Sequence, residues 1–347
     1  MTQVDIIIPC YKYGNFLRRC VDSVLSQESI DVRVLIIDDA SPDNTAEIAV
    51  QLVASDRRVH FLRHTTNMGH IATFNEGLAW ASGEYTLLLS ADDLLTPGSL
   101  HRSVRLLESH LKVGLVYGRA LLFNSDEDLP KPSSTSLECG WKITPGHEFV
   151  ESFCASGSNL LWTPTVLVRT RLQKALGGYR PELTHSGDME MWMRFGAHSD
   201  IGFVDADQAY YRLHSTNMSL GYFGGTTQRR FLPAMADLKQ RKAAFDAFFQ
   251  TKSGVIKDAE RLQQMAARGL AWVSFWGATL AFEQGEVPSC KAMLDFALEL
   301  DHDLQLEPEW TRMRWKQRMG PKLWSAVRPV LQRVRPKLQR PSAQPVG

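Results

Sequence analysis

Two adjacent carboxylates, Asp92-Asp93, follow a short apolar run from Tyr85 to Leu89. The run predicts a buried strand, and in an open α/β sheet the residues just beyond a strand's carboxyl end line the ligand crevice. Neighbouring acids are costly to hold together without a cation, and a hard divalent ion suits their oxygens. The pair therefore predicts a metal-assisted site. The alternative is a solvated turn before the helix that begins near Pro97.

A second acidic pair, Asp38-Asp39, ends another apolar run, and strand-like runs alternate with segments of helical period between the two pairs. This alternation predicts an α/β fold with a mostly parallel sheet flanked by helices, whose strand ends carry their loops on one side. We therefore expect both acidic pairs to face the same crevice. The expected strands are 5–9, 32–37, 59–63, 85–89 and 113–123, and the expected helices are 16–26, 42–53, 70–81, 97–110 and 189–198.

The composition excludes several classes of protein. With 347 residues, 44% apolar and 22% charged, the chain is typical of a folded globular protein. No G-x-G-x-x-G follows the first strand and no G-x-x-x-x-G-K-[ST] is present, which argues against a dinucleotide-binding domain and a P-loop ATPase. Five scattered cysteines, no signal peptide and no run of about 20 apolar residues predict a cytoplasmic protein with reduced thiols. No nucleic-acid partner is expected.

Five short stretches fall in the order of a known family: Ile6 to Tyr11, Ser23 to Gln27, Ile36 to Ser41, Asn67 to Gly69 and Gly83 to Asp93. Together they resemble glycosyltransferase family 2, whose members have the GT-A fold and are inverting enzymes that use nucleotide sugars. The resemblance covers about residues 4–220. It implies a UDP-linked sugar donor, Mn²⁺ or Mg²⁺ as the cofactor, and a glycan or lipid-linked acceptor in polysaccharide or glycoconjugate biosynthesis.

The resemblance assigns roles on the donor side of the site. Pro9 and Tyr11 would line the base pocket, with the Tyr11 ring against the pyrimidine. Asp39 would accept the base N–H, which a carboxylate can do. Asp92 would contact ribose or sugar hydroxyls, and Asp93 would ligate the metal. The alternatives are a packed ring for Tyr11 and a helix cap for Asp39.

The segment 186–194 resembles the family's E-D-x-x-L-W-x-R signature, and this resemblance implies that Asp188 is the catalytic base. Two departures stand out. Gly187 replaces the Glu of the signature, leaving Glu190 as the only nearby acid that could take over its role, and Ser90 stands where many relatives carry a further Asp. The alternative for Asp188 is an N-cap of the following helix. The base would accept the acceptor's hydroxyl proton as attack proceeds.

The segment 210–219 resembles the family's Y-R-x-H-x-x-N-x-S segment. This likeness implies that His214 contacts the metal or the diphosphate and that Arg212 neutralises phosphate charge. The alternative for His214 is a structural histidine. Residues 124–146 are expected to form a mobile polar loop, either a lid or an acceptor-facing segment. Four aromatic residues are equally suited to an acceptor platform or to the core: Trp141, Trp162, Tyr179 and Trp192.

The expected domain organisation has three parts: a GT-A domain at 1–220, with donor half 1–123 and acceptor and catalytic half 124–220, a helical extension at 221–310 and a basic tail at 311–347. The tail holds ten Lys or Arg and no acid. It is a candidate for contact with an anionic membrane surface. The alternative is a helix packed on the catalytic domain with a disordered end after Pro336.

These observations predict a metal-dependent, inverting, non-processive hexosyltransferase that moves one sugar from a nucleotide sugar. A processive synthase would carry membrane helices and Q-x-x-R-W, whereas Met313-Arg314-Trp315 lacks the Gln. A nucleotidyltransferase would carry a Gly-rich loop after Ile8, which is missing. The remaining rival is a non-catalytic sugar-nucleotide-binding or scaffold protein that acts through its helical, basic C-terminal region.

Overall fold

The computed structural model describes residues 2–222, 233–250, 256 and 258–334, with side chains as far as residue 328. The chain divides into two compact units. The sheet unit comprises Met1–Val150 and Leu161–His214, and the helical unit comprises Glu151–Leu160 and Ser215–Gly347. The domain boundaries predicted after residues 220 and 310 stay predictions, and the part of the predicted tail after residue 334 lies outside the described residues.

The described residues form nine strands and eleven helices. The strands are β1 Gln3–Cys10, β2 Asp31–Asp38, β3 Val59–Arg63, β4 Tyr85–Leu88, β5 Leu94–Leu95, β6 Val113–Phe123, β7 Trp141–Thr144, β8 Leu167–Arg169 and β9 Asp200–Arg212. The helices are α1 Gly14–Leu25, α2 Thr45–Ser55, α3 His70–Trp80, α4 Ser99–Ser109, α5 Gly146–Ser156, α6 Thr170–Leu176, α7 Gly187–His198, α8 Met235–Gln250, α9 Ala259–Glu283, α10 Val287–Leu300 and α11 Pro308–Val334.

The strands build one mixed sheet in the order β3-β2-β1-β4-β8-β6-β9-β5, with β7 paired to β9. The pairs of β1 with β2 and β4, of β2 with β3 and of β6 with β9 are parallel. The pairings of β8 with β4 and β6, of β5 with β9 and of β7 with β9 are antiparallel. The prediction of an α/β fold, mostly parallel in its sheet and helical in its C-terminal region, is confirmed.

The position of the first strand, between the two strands that precede the acidic pairs, explains why both pairs lie at the same edge of the sheet. Its residues from Val4 to Ile8 are buried without interruption, as expected for a strand covered on both faces. Helix α3 packs directly on it, because a Cβ at Gly77 would overlap the side chain of Ile7. Since β1, β2 and β4 are parallel neighbours, the residues that follow them share the carboxyl edge of the sheet.

Two parts of the sheet differ from the sequence expectation. Residues 124–146 were expected to be one polar loop, and that prediction is wrong for two segments of the range. Asp126–Asp128 form a 3₁₀ turn, and β7 pairs antiparallel with β9. Apolar and polar residues alternate from Trp141 to Thr144, which allows this pairing at the edge of the sheet. The polar residues around this short segment make the strand hard to recognise in the sequence. Strand β9 itself was not predicted, because Gly202, Asp205 and Asp207 interrupt its apolar pattern.

The helical unit has its own hydrophobic core, which includes Leu270, Phe275, Phe282, Leu294 and Trp310. Helix α11 is interrupted at Gly320, whose φ is 77°. In the part of the chain that is described, no helix is both long enough and apolar enough to cross a bilayer.

Candidate functional site

Asp39 follows β2 directly, and its carboxylate is held by the turn that opens α3. Its Oδ1 accepts a hydrogen bond from the Met68 N–H at 2.6 Å, and its Oδ2 accepts one from the Gly69 N–H at 2.9 Å. The φ of 83° at Gly69 is in the region that favours glycine. The Asn67 side chain donates to the Asp39 carbonyl, and His64 Nδ1 lies 2.7 Å from Oδ1. Asp39 is thus a buried, well-oriented acceptor.

Pro9 and Tyr11 lie at the end of β1, beside Asp39. The Asp39 N–H donates to the Cys10 carbonyl at 2.9 Å, which fixes the two strand ends together. The Tyr11 side chain is 41% exposed, so the alternative of a packed ring does not describe it. Lys12 Nζ lies 4.9 Å from the centroid of that ring. An exposed aromatic face therefore stands next to a buried carboxylate acceptor.

Asp92 and Asp93 follow β4 and are both buried. Arg212, the last residue of β9, donates hydrogen bonds to both residues. Its backbone N–H donates to Asp93 Oδ1 at 2.9 Å, and its Nε donates to the Asp92 carbonyl at 2.8 Å. His214 Nε2 lies 2.9 Å from Asp92 Oδ2. The structure therefore brings together four residues that the sequence placed in the site, from two segments that are 119 residues apart.

The electrostatics of this pair favour a cation. Burial, followed by the negative charge of Asp92, raises the pKa of the Asp93 carboxyl well above its ordinary value, and Arg212 opposes this only in part. Burial and Asp92 also raise the pKa of the Tyr13 hydroxyl. Within the described ranges, no three His, Cys, Asp or Glu side chains form a group that could hold a metal ion. The donor chemistry of Asp93 and His214 nonetheless suits Mn²⁺ or Mg²⁺.

The Arg212 guanidinium is enclosed between two aromatic rings. It lies 4.5 Å from the centroid of Phe16 and 4.4 Å from that of Phe123, and its side chain is 3% exposed. Its Nη2 donates to Asp126 Oδ1 at 2.7 Å, and Arg19 Nη1 lies 3.0 Å from the same oxygen. The assignment of Arg212 to phosphate stays a prediction.

Asp188 lies in the first turn of α7, half-buried. The helix begins at Gly187 with Ser186 at the N-cap position, so the N-cap alternative for Asp188 does not describe it. Its Oδ1 accepts from the Met189 N–H at 2.7 Å, and its Oδ2 accepts from Thr163 Oγ1 at 3.0 Å. A carboxylate at a helix N-terminus is stabilised as an anion. Its role as the base stays a prediction.

Glu190 lies two residues further along α7 and is fully buried. Arg180 Nε donates to its Oε1 at 2.9 Å, and Arg194 Nε donates to its Oε2 at 3.0 Å. Arg194 also donates to the carbonyls of Leu176 and Gly178. Both carboxylate oxygens of Glu190 therefore make ion pairs that fasten α7 to its neighbours.

Sequence reasoning missed three residues of the site region: His64, Thr163 and Asp126. Each contacts a predicted residue across a long sequence separation, and none belongs to a recognisable motif. Of the four aromatic candidates for an acceptor platform, Tyr179 and Trp192 are buried in the core. Trp162 packs against Tyr211, with ring centroids 4.9 Å apart, and Trp141 is 37% exposed.

Comparison with known proteins relates the N-terminal part of the chain to one family. Residues 5–162 match the family described as Glycosyl transferase family 2. The match covers 158 of the 347 residues, so it is the stretch from residue 5 to residue 162 that resembles glycosyltransferase family 2.

Curated relatives match over part of their length. The Uncharacterized glycosyltransferase alr2836 of Nostoc sp. is 31% identical over 134 residues, which cover 38% of this chain and 41% of the relative. The Putative glycosyltransferase EpsE of Bacillus subtilis is 28% identical over 219 residues, 61% of this chain and 72% of the relative. The chain spans less than two thirds of the length of several curated relatives. The matched part is 41% of the Nostoc protein and 64% and 39% of two others.

Solved structures share the fold at low sequence identity. S. aureus TarS 1-349, in complex with UDP-GlcNAc, has a TM-score of 0.60 at 18% identity, covering 86% of this chain and 81% of that one. The mannosyltransferase PcManGT of Pyrobaculum calidifontis, in complex with GDP-Man and Mn²⁺, has a TM-score of 0.51 at 15% identity, covering 96% and 88%. The sheet unit therefore has the GT-A fold predicted from the sequence.

Proposed function

We propose that this protein is a divalent-cation-dependent, inverting glycosyltransferase. It moves one sugar from a nucleoside diphosphate sugar, UDP-linked in our proposal, to a hydroxyl of a glycan or a lipid-linked acceptor in polysaccharide or glycoconjugate biosynthesis. The observation that carries the proposal is the cluster of Asp92, Asp93, Arg212 and His214 at the carboxyl edge of a family 2 domain.

The nucleoside is recognised by Tyr11 and Asp39. A carboxylate has about four acceptor positions, and three donors already approach Asp39: the N–H groups of Met68 and Gly69 and the His64 ring. Two of them approach Oδ1, so Oδ2 retains the capacity for one incoming N–H. Uracil and guanine carry a ring N–H at the required edge, and the Tyr11 ring offers the adjacent stacking surface.

Asp93 and His214 would hold the divalent cation, whose chemistry is to neutralise the charge that develops on the departing diphosphate. Arg212 supports this arrangement, because its backbone N–H and its Nε fix Asp93 and the Asp92 carbonyl. In our proposal Asp92, which is in contact with His214, binds the hydroxyls of the donor.

Asp188 acts as the general base. Thr163 and the Met189 N–H each occupy one of its oxygens and so orient the carboxylate. Because a carboxylate is a weak base, Asp188 accepts the hydroxyl proton late, as the acceptor oxygen bonds to the anomeric carbon and the bond to the diphosphate breaks. Attack from the face opposite the diphosphate inverts the anomeric configuration.

In our proposal the partners of the enzyme also include an anionic membrane surface. The enzyme acts at the cytoplasmic face of that membrane. Trp315 and Leu323 of α11 are 60% and 54% exposed among basic residues. Such a surface suits anionic lipid headgroups. Full-length protein should sediment with anionic vesicles, and the Trp315→Ser, Leu323→Ser double variant should do so less. Equal sedimentation of both proteins would remove this part of the proposal.

A panel of nucleotide sugars tests the proposed function. With Mn²⁺ or Mg²⁺ present, a UDP-sugar should raise the melting temperature, because binding to the native state adds to stability, and it should be slowly hydrolysed when no acceptor is supplied. Stabilisation without any turnover would favour the non-catalytic sugar-nucleotide-binding alternative. If no nucleotide sugar either stabilises the protein or is consumed, the proposal fails.

The assignment of the base has its own test. Asp188→Asn should lower turnover about 10²- to 10⁴-fold, the usual contribution of general base catalysis, while the Kd for UDP stays unchanged. Thr163→Val is the matched variant, because it leaves the carboxylate in place and removes only its hydroxyl partner. Unchanged turnover in Asp188→Asn would show that another group is the base.

A further inference from the structure

His64, at the end of β3, lies between two carboxylates. Its Nδ1 is 2.7 Å from Asp39 Oδ1, and its Nε2 is 2.6 Å from Glu76 Oε2 on α3. The histidine side chain is 10% exposed, whereas that of Glu76 is 45% exposed. The imidazole therefore connects the buried carboxylate of the proposed base pocket to an acid at the protein surface.

The protonation of His64 decides whether both contacts can exist. A neutral imidazole has one N–H donor and one acceptor nitrogen, whereas the imidazolium donates from both nitrogens. Ionised carboxylates only accept hydrogen bonds. With a carboxylate oxygen within 2.7 Å of each ring nitrogen, both contacts are hydrogen bonds only when His64 is protonated.

The surroundings favour the protonated form. Partial burial opposes it, but the hydrogen bonds and charges of Asp39 and Glu76 outweigh burial, so the pKa of His64 is raised above its ordinary value. The neighbouring cation Arg63 is paired with Asp38, 3.2 Å away. His70, at the start of α3, has a pKa lowered chiefly by burial, so it adds no competing positive charge at neutral pH.

We propose that His64 is a positioning residue of the nucleotide site: its protonated ring ties Asp39 to Glu76 and holds the Asp39 carboxylate toward the nucleobase. This inference rests on the proposed function. Affinity for a nucleoside diphosphate is then full below the pKa of His64. The affinity falls as the pH rises through that value, because one ring nitrogen loses its proton and then presents a lone pair to a carboxylate.

The loss is partial, because other donors remain on Asp39. The N–H groups of Met68 and Gly69 still hold its two oxygens after His64 loses its proton. The neutral ring keeps one N–H, so either Asp39 loses its hydrogen bond to His64 or the ring loses its bond to Glu76, and in both cases Asp39 is held less firmly. We expect an affinity change of about fivefold to tenfold, the size of one net hydrogen bond.

The experiment measures the Kd for UDP by calorimetry from pH 5.5 to 8.5, at fixed Mg²⁺, with the full-length protein. Beyond the change caused by ionisation of the UDP phosphate, which all variants share, the wild-type Kd should rise by that factor, with a midpoint that matches the pKa of His64 followed by NMR of its ring protons. His64→Gln should bind UDP with no such step. A step of the same size and midpoint in His64→Gln would overturn the proposal.

Glu76→Gln separates positioning from a merely structural role. It keeps a hydrogen-bond acceptor beside Nε2 but removes a negative charge, so the midpoint should move to lower pH while binding at low pH is retained. An unmoved midpoint in Glu76→Gln contradicts the proposal, and this holds even if His64→Gln fails to fold. His70→Gln is the matched control, and its midpoint should equal that of the wild type.

The outcomes distinguish this inference from the proposed function. If UDP binds to the wild type without any step at the pKa of His64, the positioning role fails and the glycosyltransferase proposal stands. If UDP and the nucleotide sugars fail to bind at every pH, the proposed function fails first.

Discussion

The same dipeptide, Asp-Asp, stands at the end of β2 and shortly after β4, and the two pairs have different electrostatic surroundings. After β2, Asp38 accepts the Ser41 N–H and lies 3.2 Å from Arg63 Nε, while Asp39 accepts two backbone N–H groups and contacts His64. After β4, Asp93 accepts the Arg212 N–H and Asp92 contacts His214, and the pKa of Asp93 is raised by its burial and by Asp92.

The different surroundings suit the two acidic pairs to different roles. In the first pair, Arg63, His64 and backbone N–H groups approach the carboxylates, which suits them to serve as oriented acceptors. The second pair combines burial with repulsion between like charges, an arrangement that a bound cation relieves. The same dipeptide is thus a candidate recognition element after β2 and a candidate ion site after β4.

The largest expected effect concerns a third buried acid, Glu190, which resembles the first pair because Arg180 and Arg194 balance its charge. Glu190→Gln should lower the free energy of unfolding by about 3–5 kcal/mol, because it breaks a buried ion pair and leaves an arginine charge uncompensated. Denaturant unfolding measures this change. A loss of turnover in a fully stable Glu190→Gln protein would instead indicate that Glu190 has taken over a role in the reaction.

The second pair is tested by Asp93→Asn. In the presence of Mn²⁺ or Mg²⁺, turnover should fall about 10²- to 10³-fold, since a metal ion supplies several kcal/mol of charge stabilisation, and the cation should no longer strengthen UDP binding. The free energy of unfolding without cation should be equal to or higher than that of the wild type. The Asn oxygen still accepts from the Arg212 N–H, and the repulsion with Asp92 is gone.

The outcome that would contradict this reading is a clear loss of stability in Asp93→Asn. It would show that the carboxylate charge is compensated in the folded protein, as it is in the first pair. Cation-dependent UDP binding that survives the substitution would remove Asp93 from the proposed ion site.

Local sequence signals were enough to predict most of the donor side of the sheet unit. Strands β3 and β6 have the predicted bounds, and the acidic pairs lie at the strand ends where continuous apolar runs stop. Such runs are strong signals because a strand buried on both faces has little room for polar residues. The interrupted pattern of β9, with Asp205 and Asp207 inside the strand, provides no comparable signal.

The contacts that orient the site residues could not be predicted. His64 reaches Asp39 across 25 residues, Thr163 reaches Asp188 across 25, and Asp126 reaches Arg212 across 86. Each contact depends on the twist of the sheet and on the path of a connecting loop. Neither is encoded in a short motif, so residue types alone could indicate the chemistry but not the partner that positions it.

The first pair is tested by Asp39→Asn. An amide offers one acceptor atom, so its NH₂ group must face the N–H of Met68 or of Gly69. We expect a loss of about 1–3 kcal/mol in the free energy of unfolding and a Kd for UDP about tenfold higher, with or without a cation. Asp39→Asn and Asp93→Asn should therefore change stability in opposite directions or by clearly different amounts. Equal losses in the two variants would remove the contrast between the pairs.

The smallest expected effect belongs to Tyr11, which is exposed beside the first pair. Tyr11→Ala should raise the Kd for UDP by about tenfold, because stacking of a base on an aromatic ring contributes roughly 1–3 kcal/mol, while the melting temperature without ligand changes little. Tyr11→Phe keeps the ring and should bind UDP as the wild type does. If both variants bind UDP normally, the base does not use this ring, and recognition at the first strand end would rest on Asp39 alone.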